Sequence, residues 1–218
     1  MFYPVRWKNF PRDFIVIQIG FALFGLSIAI MIRSNVGTSP RALLEVALSN
    51  LIGITPGRMS IIVGFVVLLI ALAMGERIGW GTLGNILCIG LWEDMFLQQI
   101  PSVENNLFLQ VLMLLSAILM MGIASAIYIG VDAGAGPRDS LMLAVHRKSG
   151  WSIRFGRAVI EILVVTVGWL LGGPLGFGTL LFAVLIGPSV QWAFKLFKVK
   201  PHKPETKVAE LGKLFTHR

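Results

Sequence analysis

The chain is short of charge, cysteine and histidine, and each shortage excludes a class of protein. Only 14% of its 218 residues are charged and 56% are hydrophobic, whereas a soluble domain has about 25% charged and about 45–50% apolar residues. A soluble enzyme and a disordered polar tail protein are therefore excluded. The single cysteine, Cys88, permits no internal disulfide and rules out a disulfide scaffold. It sits in an apolar run and reads as an inert packed thiol. The histidines, His146, His202 and His217, have no second ligand at metal-binding spacing, so no metal is expected. There is no phosphate-binding glycine loop and no Gly-x-Ser-x-Gly elbow. The expectation is a protein without cofactor and without enzymatic activity.

What remains is apolar sequence, with a mean hydropathy of +0.79. The formal charge of +8 suggests nucleic acid at first sight, but +5 of it lies in residues 195–218. A basic tail beside apolar spans is what the positive-inside rule places in the cytoplasm, and no nucleic-acid partner is expected. The N-terminus is also basic, through Arg6, Lys8 and Arg12. It runs into a stretch long enough to cross a membrane with no small-residue cleavage site after it, which reads as a retained first helix.

Six stretches approach the length of about 20 residues that a span requires: Phe14–Ile32, Met59–Met74, Gly81–Leu97, Leu107–Ile129, Phe155–Leu171 and Gly178–Phe197. The third is expected to be interrupted at Glu93-Asp94 and the sixth at Gly187-Pro188. Ser39–Ile52 and Pro137–Val145 are too short and too polar to span and read as short interfacial or re-entrant helices. The chain thus divides into a basic N-terminus (1–13), a first membrane unit (14–97), a polar loop (98–106), a second membrane unit (107–197) and a basic tail (198–218).

The two membrane units are repeats. At an offset of 97 residues Gly25 meets Gly122, Gly37 meets Gly134, and Pro40-Arg41 meets Pro137-Arg138. Gly81-Thr-Leu83 likewise meets Gly178-Thr-Leu180. Aliphatic matches alone would mean little in apolar segments, but these glycine, proline and arginine matches at one offset signal a duplicated unit. Two like units of three spans each insert in opposite orientations. Loop charges agree: the N-terminus, residues 133–157 (Arg138, Arg147, Lys148, Arg154, Arg157) and the tail are basic, whereas residues 98–106 carry no Lys or Arg. The segment from Arg33 to Arg58, with three Arg and one Glu, fits poorly on the outside. Eight spans would put the acidic Glu93–Glu104 region inside, which the rule disfavours.

Val36-Gly-Thr-Ser-Pro-Arg41 and Ala133-Gly-Ala-Gly-Pro-Arg138 each read as a glycine turn followed by a proline-started helix. Such a helix end offers free N–H groups and partial positive charge, and an adjacent Arg makes an anion site plausible; an Arg meeting lipid phosphate is the plain alternative. Gly79-Trp-Gly-Thr-Leu83 and Gly176-Phe-Gly-Thr-Leu180 read as close-packing helix starts. Ionisable groups within spans are costly and mark pathways. Glu45, Glu93, Asp94 and Glu161 are the candidates, with Asn85 and Gln191 as polar company. Arg157 lies one helical turn from Glu161, so a structural ion pair competes with a functional role there. Asp139 could be a helix-start carboxylate.

At the Gly-x-x-Pro-Arg loops the chain resembles the YczE/YyaS/AitC family of bacterial integral membrane proteins, and more distantly the YitT-like group. The residues of the resemblance are Gly37-Thr-Ser-Pro-Arg41, Gly134-Ala-Gly-Pro-Arg138-Asp139, Arg154–Arg157 with Glu161, and Gly172 through Pro188. It covers roughly residues 14–197 and is strongest in the second half; in the first, Ala42 stands where the second repeat has Asp139. The resemblance implies a bacterial inner-membrane location and says little about substrate.

The sequence therefore leads to an all-α polytopic membrane protein of six spans in two inverted repeats, each with a short re-entrant or interfacial helix, and with both termini cytoplasmic. The expected function is a secondary transporter or exporter of a small anionic or zwitterionic solute; the runner-up is a membrane scaffold that binds a partner through its short helices. Lipids surround it, and a homo-oligomer is left open. The expected solute or ion pathway uses Arg41, Glu45, Asn85, Glu93, Asp94, Arg138, Asp139, Glu161 and Gln191, with Arg41 and Arg138 at opposite mouths and Glu161 as a proton carrier. Gly37, Pro40, Gly81, Gly134, Pro137, Gly178, Gly187 and Pro188 are expected at turns or helix breaks.

Overall fold

A computed structural model describes residues 10–76, 79–131, 133–134 and 136–199, with the backbone alone of Asp139, Leu143, Ile153 and Arg154. The first nine residues and most of the basic tail, with His202 and His217, lie outside the described residues. Every regular element described is a helix: α1 (Phe10–Arg33), α2 (Pro40–Ile52), α3 (Pro56–Ala73), α4 (Trp80–Gln99), α5 (Leu107–Gly130), α6 (Pro137–Ser149), α7 (Ile153–Leu170) and α8 (Phe177–Leu196).

Local sequence explains the boundaries. Pro40, Pro56 and Pro137 open α2, α3 and α6, where the missing N–H costs no hydrogen bond. Ser39 and Thr55 accept from first-turn amides of α2 and α3. Left-handed glycines, Gly53 and Gly150, end α2 and α6 after 13 residues each. Four helices are long and apolar enough to cross a membrane: α1, α3, α5 and α8. The other two expected spans do not reach that standard. Asn85, Glu93 and Asp94 dilute α4, and Arg154, Arg157 and Glu161 put three charges into α7.

Each helix of the second half begins and ends 97 residues after its counterpart in the first. The backbone turns follow the same offset: φ is 115° at Gly37 and 125° at Gly134, 77° at Gly53 and 70° at Gly150, and 89° at Gly75 and 83° at Gly172. Packing is reciprocal as well. The Gly178 amide donates to the Val36 carbonyl at 2.8 Å, and the equivalent Gly81 amide donates to Ala133 at 3.0 Å. Helix α2 packs on α7 and α6 on α3; α4 packs on α1 and α8 on α5. Equivalent partners are thus exchanged between the two halves.

At the centre α1 packs against α5. Arg12, Asp13 and Val16 at the start of α1 lie beside Gly130 and Val131 at the end of α5, and Phe21 stacks at a tilt on Tyr128 with ring centroids 5.9 Å apart. The two helices therefore run antiparallel. Their shared core includes Ile17, Phe21, Ile28, Met31, Leu114, Ile118 and Met121. Small residues allow the close approaches: a Cβ on Gly25 would stand 2.8 Å from the Glu93 amide nitrogen, so α1 and α4 touch backbone to backbone.

Two expected interruptions are absent. Helix α4 runs unbroken through Glu93 and Asp94, because glutamate is a good helix former and the Asp94 carboxylate finds partners at the start of α3. Helix α8 runs through Gly187 and Pro188. A proline removes one hydrogen bond and crowds the preceding turn, and here the surroundings leave room: Pro188 is exposed and nothing stands within 4 Å of a Cβ built on Gly187.

Candidate functional site

The two short helices meet start to start. After α1 the chain turns at Gly37 and doubles back, so that the Ser39 amide reaches Met31 Sδ at 3.1 Å, on the preceding helix. Only glycine suits Gly37: its φ is 115°, and a Cβ would stand 2.9 Å from the amides of Gly176 and Thr179. Gly134 makes the same turn against Gly79 and Thr82. These two turns aim the starts of α2 and α6 into one cavity of about 130 Å³.

The lining of that cavity is symmetric. Its walls are Pro40 and Pro137, Arg41 and Arg138, Leu44 and Leu141, Val63 and Ile160, Gly64 and Glu161, and Val67 and Val164. Each pair is related by the 97-residue offset. Arg41 and Arg138, expected at opposite mouths, stand in one place. The physical reason is that the chain doubles back at each glycine turn, which brings both helix starts to the same cavity.

Both guanidinium groups are engaged by carboxylates. Arg41 Nε donates to Glu45 Oε1 at 2.6 Å and its Nη2 to Ser60 Oγ at 2.8 Å. Arg138 donates to Glu161, which also accepts from Arg157 Nε at 3.0 Å. Glu45 is fully buried, whereas the Glu161 side chain is 25% exposed. Two helix starts and two carboxylate-paired arginines, with Glu161, therefore border a cavity whose own surface is almost entirely apolar. Helix starts favour anions through free N–H groups and aligned peptide dipoles, and no side chain caps the start of α6 at Gly136.

The remaining candidates separate. Glu93 is fully buried, and neither carboxylate oxygen has a hydrogen-bond partner among the described residues. The charges acting on it are Glu45, Arg41 and Asp94. Asp94 is held elsewhere: it accepts from Thr55 Oγ1 at 2.5 Å and from the Gly57 amide at 2.8 Å, fastening the start of α3 to α4. Asn85 is buried on α4 but is not part of the cavity lining, and Gln191 is exposed on α8. The Asp139 side chain lies outside the described residues. Gly81 and Gly178 are in the first turns of α4 and α8, where their amides bind the facing glycine turn.

The sequence reading missed Ser60 and the aliphatic walls. Leu44/Leu141, Val63/Ile160 and Val67/Val164 all obey the 97-residue offset, but in apolar segments such matches have little weight until the glycine and arginine matches fix the register.

Comparison with known proteins agrees with a membrane assignment. An uncharacterized protein of Haemophilus influenzae is 30% identical over 201 residues, covering 92% of each chain. The uncharacterized membrane protein YczE of Bacillus subtilis is 31% identical over 84% of this chain and 82% of its own, and the uncharacterized protein YyaS of the same organism is 31% identical over 78% and 86%. No solved structure matches the chain. With helices apolar enough to cross a bilayer and a relative named as a membrane protein, this is a membrane protein. A family of unknown function, DUF6198, matches residues 11–195, nearly the whole described fold, and the chain belongs to that family.

Proposed function

We propose that the protein is a carrier for a small anion in the bacterial inner membrane, built as two inverted three-span units with both termini in the cytoplasm. Four helices span by length and composition. The other two, α4 and α7, are the repeat equivalents of the spans α8 and α3 and supply the fifth and sixth crossings. Antiparallel α1 and α5, together with reciprocal loop contacts, support an axis in the membrane plane. Basic residues Arg147, Lys148, Arg154 and Arg157 between α6 and α7, against no Lys or Arg in residues 98–106, support the orientation.

The observation that carries the reading is the cavity where two helix starts and two arginines converge between inverted halves. Carriers of this architecture hold substrate near the midplane, with short helices pointing their positive ends at anionic groups. An engineered apolar cavity of about 150 Å³ holds benzene. A cavity of about 130 Å³ thus takes a solute of about six non-hydrogen atoms or fewer on the same scale. The carboxylates are not an obstacle: an arriving anion displaces Glu161 from Arg138, and Arg157 retains it.

The test is flux into proteoliposomes of purified protein. Nitrate and methanesulfonate, both permanently ionised, are the anion probes; glycine tests a zwitterion and methylammonium a cation. Uptake of an anion probe, reduced at least tenfold by Arg138→Gln in a folded protein, is the expected result. Uptake of glycine alone transfers the site to zwitterions, uptake of methylammonium reverses its sign, and no protein-dependent flux removes the carrier reading.

A further inference from the structure

The carrier reading makes no use of Glu93. It lies on α4, fully buried, with both oxygens unpartnered among the described residues. An ionised carboxylate buried without a partner bears a large desolvation penalty, so such groups are rare and functional in membranes. Its surroundings can be counted element by element. Helix α2 brings Arg41 and Glu45, and α4 itself brings Asp94. Helix α1 brings Gly25 beside Glu93 and, one turn further along α4, Arg33, which donates to the Leu97 carbonyl. Helix α3 brings Ser60, through its bond to Arg41, and its Arg58 is exposed. From α6, Arg138 acts on Glu45, while His146, Arg147 and Lys148 sit at its exposed far end.

Asp94 is committed to the start of α3 and Arg138 to Glu161, so the local balance is one guanidinium against two buried carboxylates. Glu45 takes the guanidinium and also a hydrogen bond from Ser60. Both oxygens of Glu93 are left without a partner among the described residues, and one cation between two buried carboxylates leaves an uncompensated negative charge. A single proton removes it, and the triad of Arg41, Glu45 and Glu93 becomes neutral.

We propose that Glu93, with Glu45 and Arg41, is a proton-binding site that couples anion movement to the proton gradient; this rests on the carrier reading. With a proton on Glu93, the carboxylic acid is neutral and Arg41 is free to face the cavity and receive an anion. When the proton leaves, the Glu93 carboxylate competes for Arg41 and draws it off the cavity, releasing the anion. One proton and one anion thus travel together, with no net charge moved. Glu161, the proton carrier expected from sequence, is less suited: two arginines already balance it.

Two measurements test the site. The first is independent of transport: infrared difference spectra of detergent-solubilised protein near neutral pH. The carbonyl stretch of a protonated carboxylic acid is expected in the parent protein and in Glu93→Asp, and lost in Glu93→Gln. A stretch that is absent from the parent, or unchanged in Glu93→Gln, overturns the proton site. The second is nitrate uptake in proteoliposomes. Acidifying the outside is expected to accelerate uptake at least fivefold in the parent and to have no effect on residual uptake by Glu93→Gln. Uptake that ignores the pH gradient, or follows a sodium gradient instead, overturns the coupling and leaves the carrier reading standing; absence of protein-dependent flux for every probe removes the carrier reading itself.

Discussion

Replacing Gly37 with alanine tests the reciprocal contact on which the architecture depends. The residue has φ 115°, and a Cβ would stand 2.9 Å from two backbone amides of the α8 start. Two costs add. An L-residue forced to positive φ loses about 1–2 kcal/mol, and an extra methyl against unyielding backbone loses about 1–3 kcal/mol more. Gly53 separates the two costs, since its φ is 77° and nothing lies within 4 Å of a built Cβ. Gly53→Ala therefore bears the conformational cost alone. In a chain of this size each kcal/mol moves the melting temperature by about 2–4 °C. Melting in detergent, followed by tryptophan fluorescence and checked by size-exclusion chromatography, is expected to fall by roughly 10 °C for Gly37→Ala and roughly 4 °C for Gly53→Ala. Gly134→Ala is expected to match Gly37→Ala, because its Cβ would meet Gly79 and Thr82 in the same way. Equal effects of Gly37→Ala and Gly53→Ala would refute the close contact, and strongly unequal effects of Gly37→Ala and Gly134→Ala would refute the reciprocity.

Three further outcomes are expected. Val164→Phe extends a wall into the 130 Å³ cavity and should abolish anion flux while size-exclusion profile and melting stay near those of the parent; undiminished flux would exclude this cavity as the route. Asp94→Asn keeps the shape but weakens the charged acceptor for the α3 start, for a loss of about 1–2 kcal/mol; a melting temperature unchanged within error would show that the α3–α4 fastening is dispensable. Single cysteines at the exposed Ile52 and Ser149, in a Cys88→Ser background, occupy equivalent sites. An impermeant thiol reagent on intact cells should label position 52 and spare 149, and labelling both or neither would contradict inverted insertion.

Much of this fold was legible in the sequence because the informative residues are ones whose backbone behaviour is unusual. Gly37, Gly134, Pro40 and Pro137 identified the turns and helix starts, and their common offset identified the duplication before any packing was known. The meeting of Arg41 and Arg138 was not legible. Sequence places each arginine at a helix start but says nothing about how far a glycine turn folds back, and that depth decides whether two starts face one cavity or opposite surfaces. The continuity of α4 and α8 was also hidden. Glu93-Asp94 and Gly187-Pro188 are helix breakers only when their polar groups or missing bonds go uncompensated, and compensation is tertiary: Thr55 and Gly57 for Asp94, open surroundings for Gly187. Glu161 drew the proton role in sequence despite Arg157 one turn away, and only burial and partners set Glu93 apart from it.

Five of the six residue pairs around the cavity are identical or nearly so, and one is not: Gly64 faces Glu161. The chamber is close to palindromic. A solute turned end for end meets the same prolines, arginines and aliphatic walls, so shape provides almost no means of telling one orientation from its reverse. The carboxylate present on one side and missing on the other is what breaks the tie. Any vectorial preference of the proposed carrier rests on electrical asymmetry: Glu161 against Gly64 in the lining itself, and behind it Glu45 and Glu93, whose repeat equivalents are Met142 and Val190.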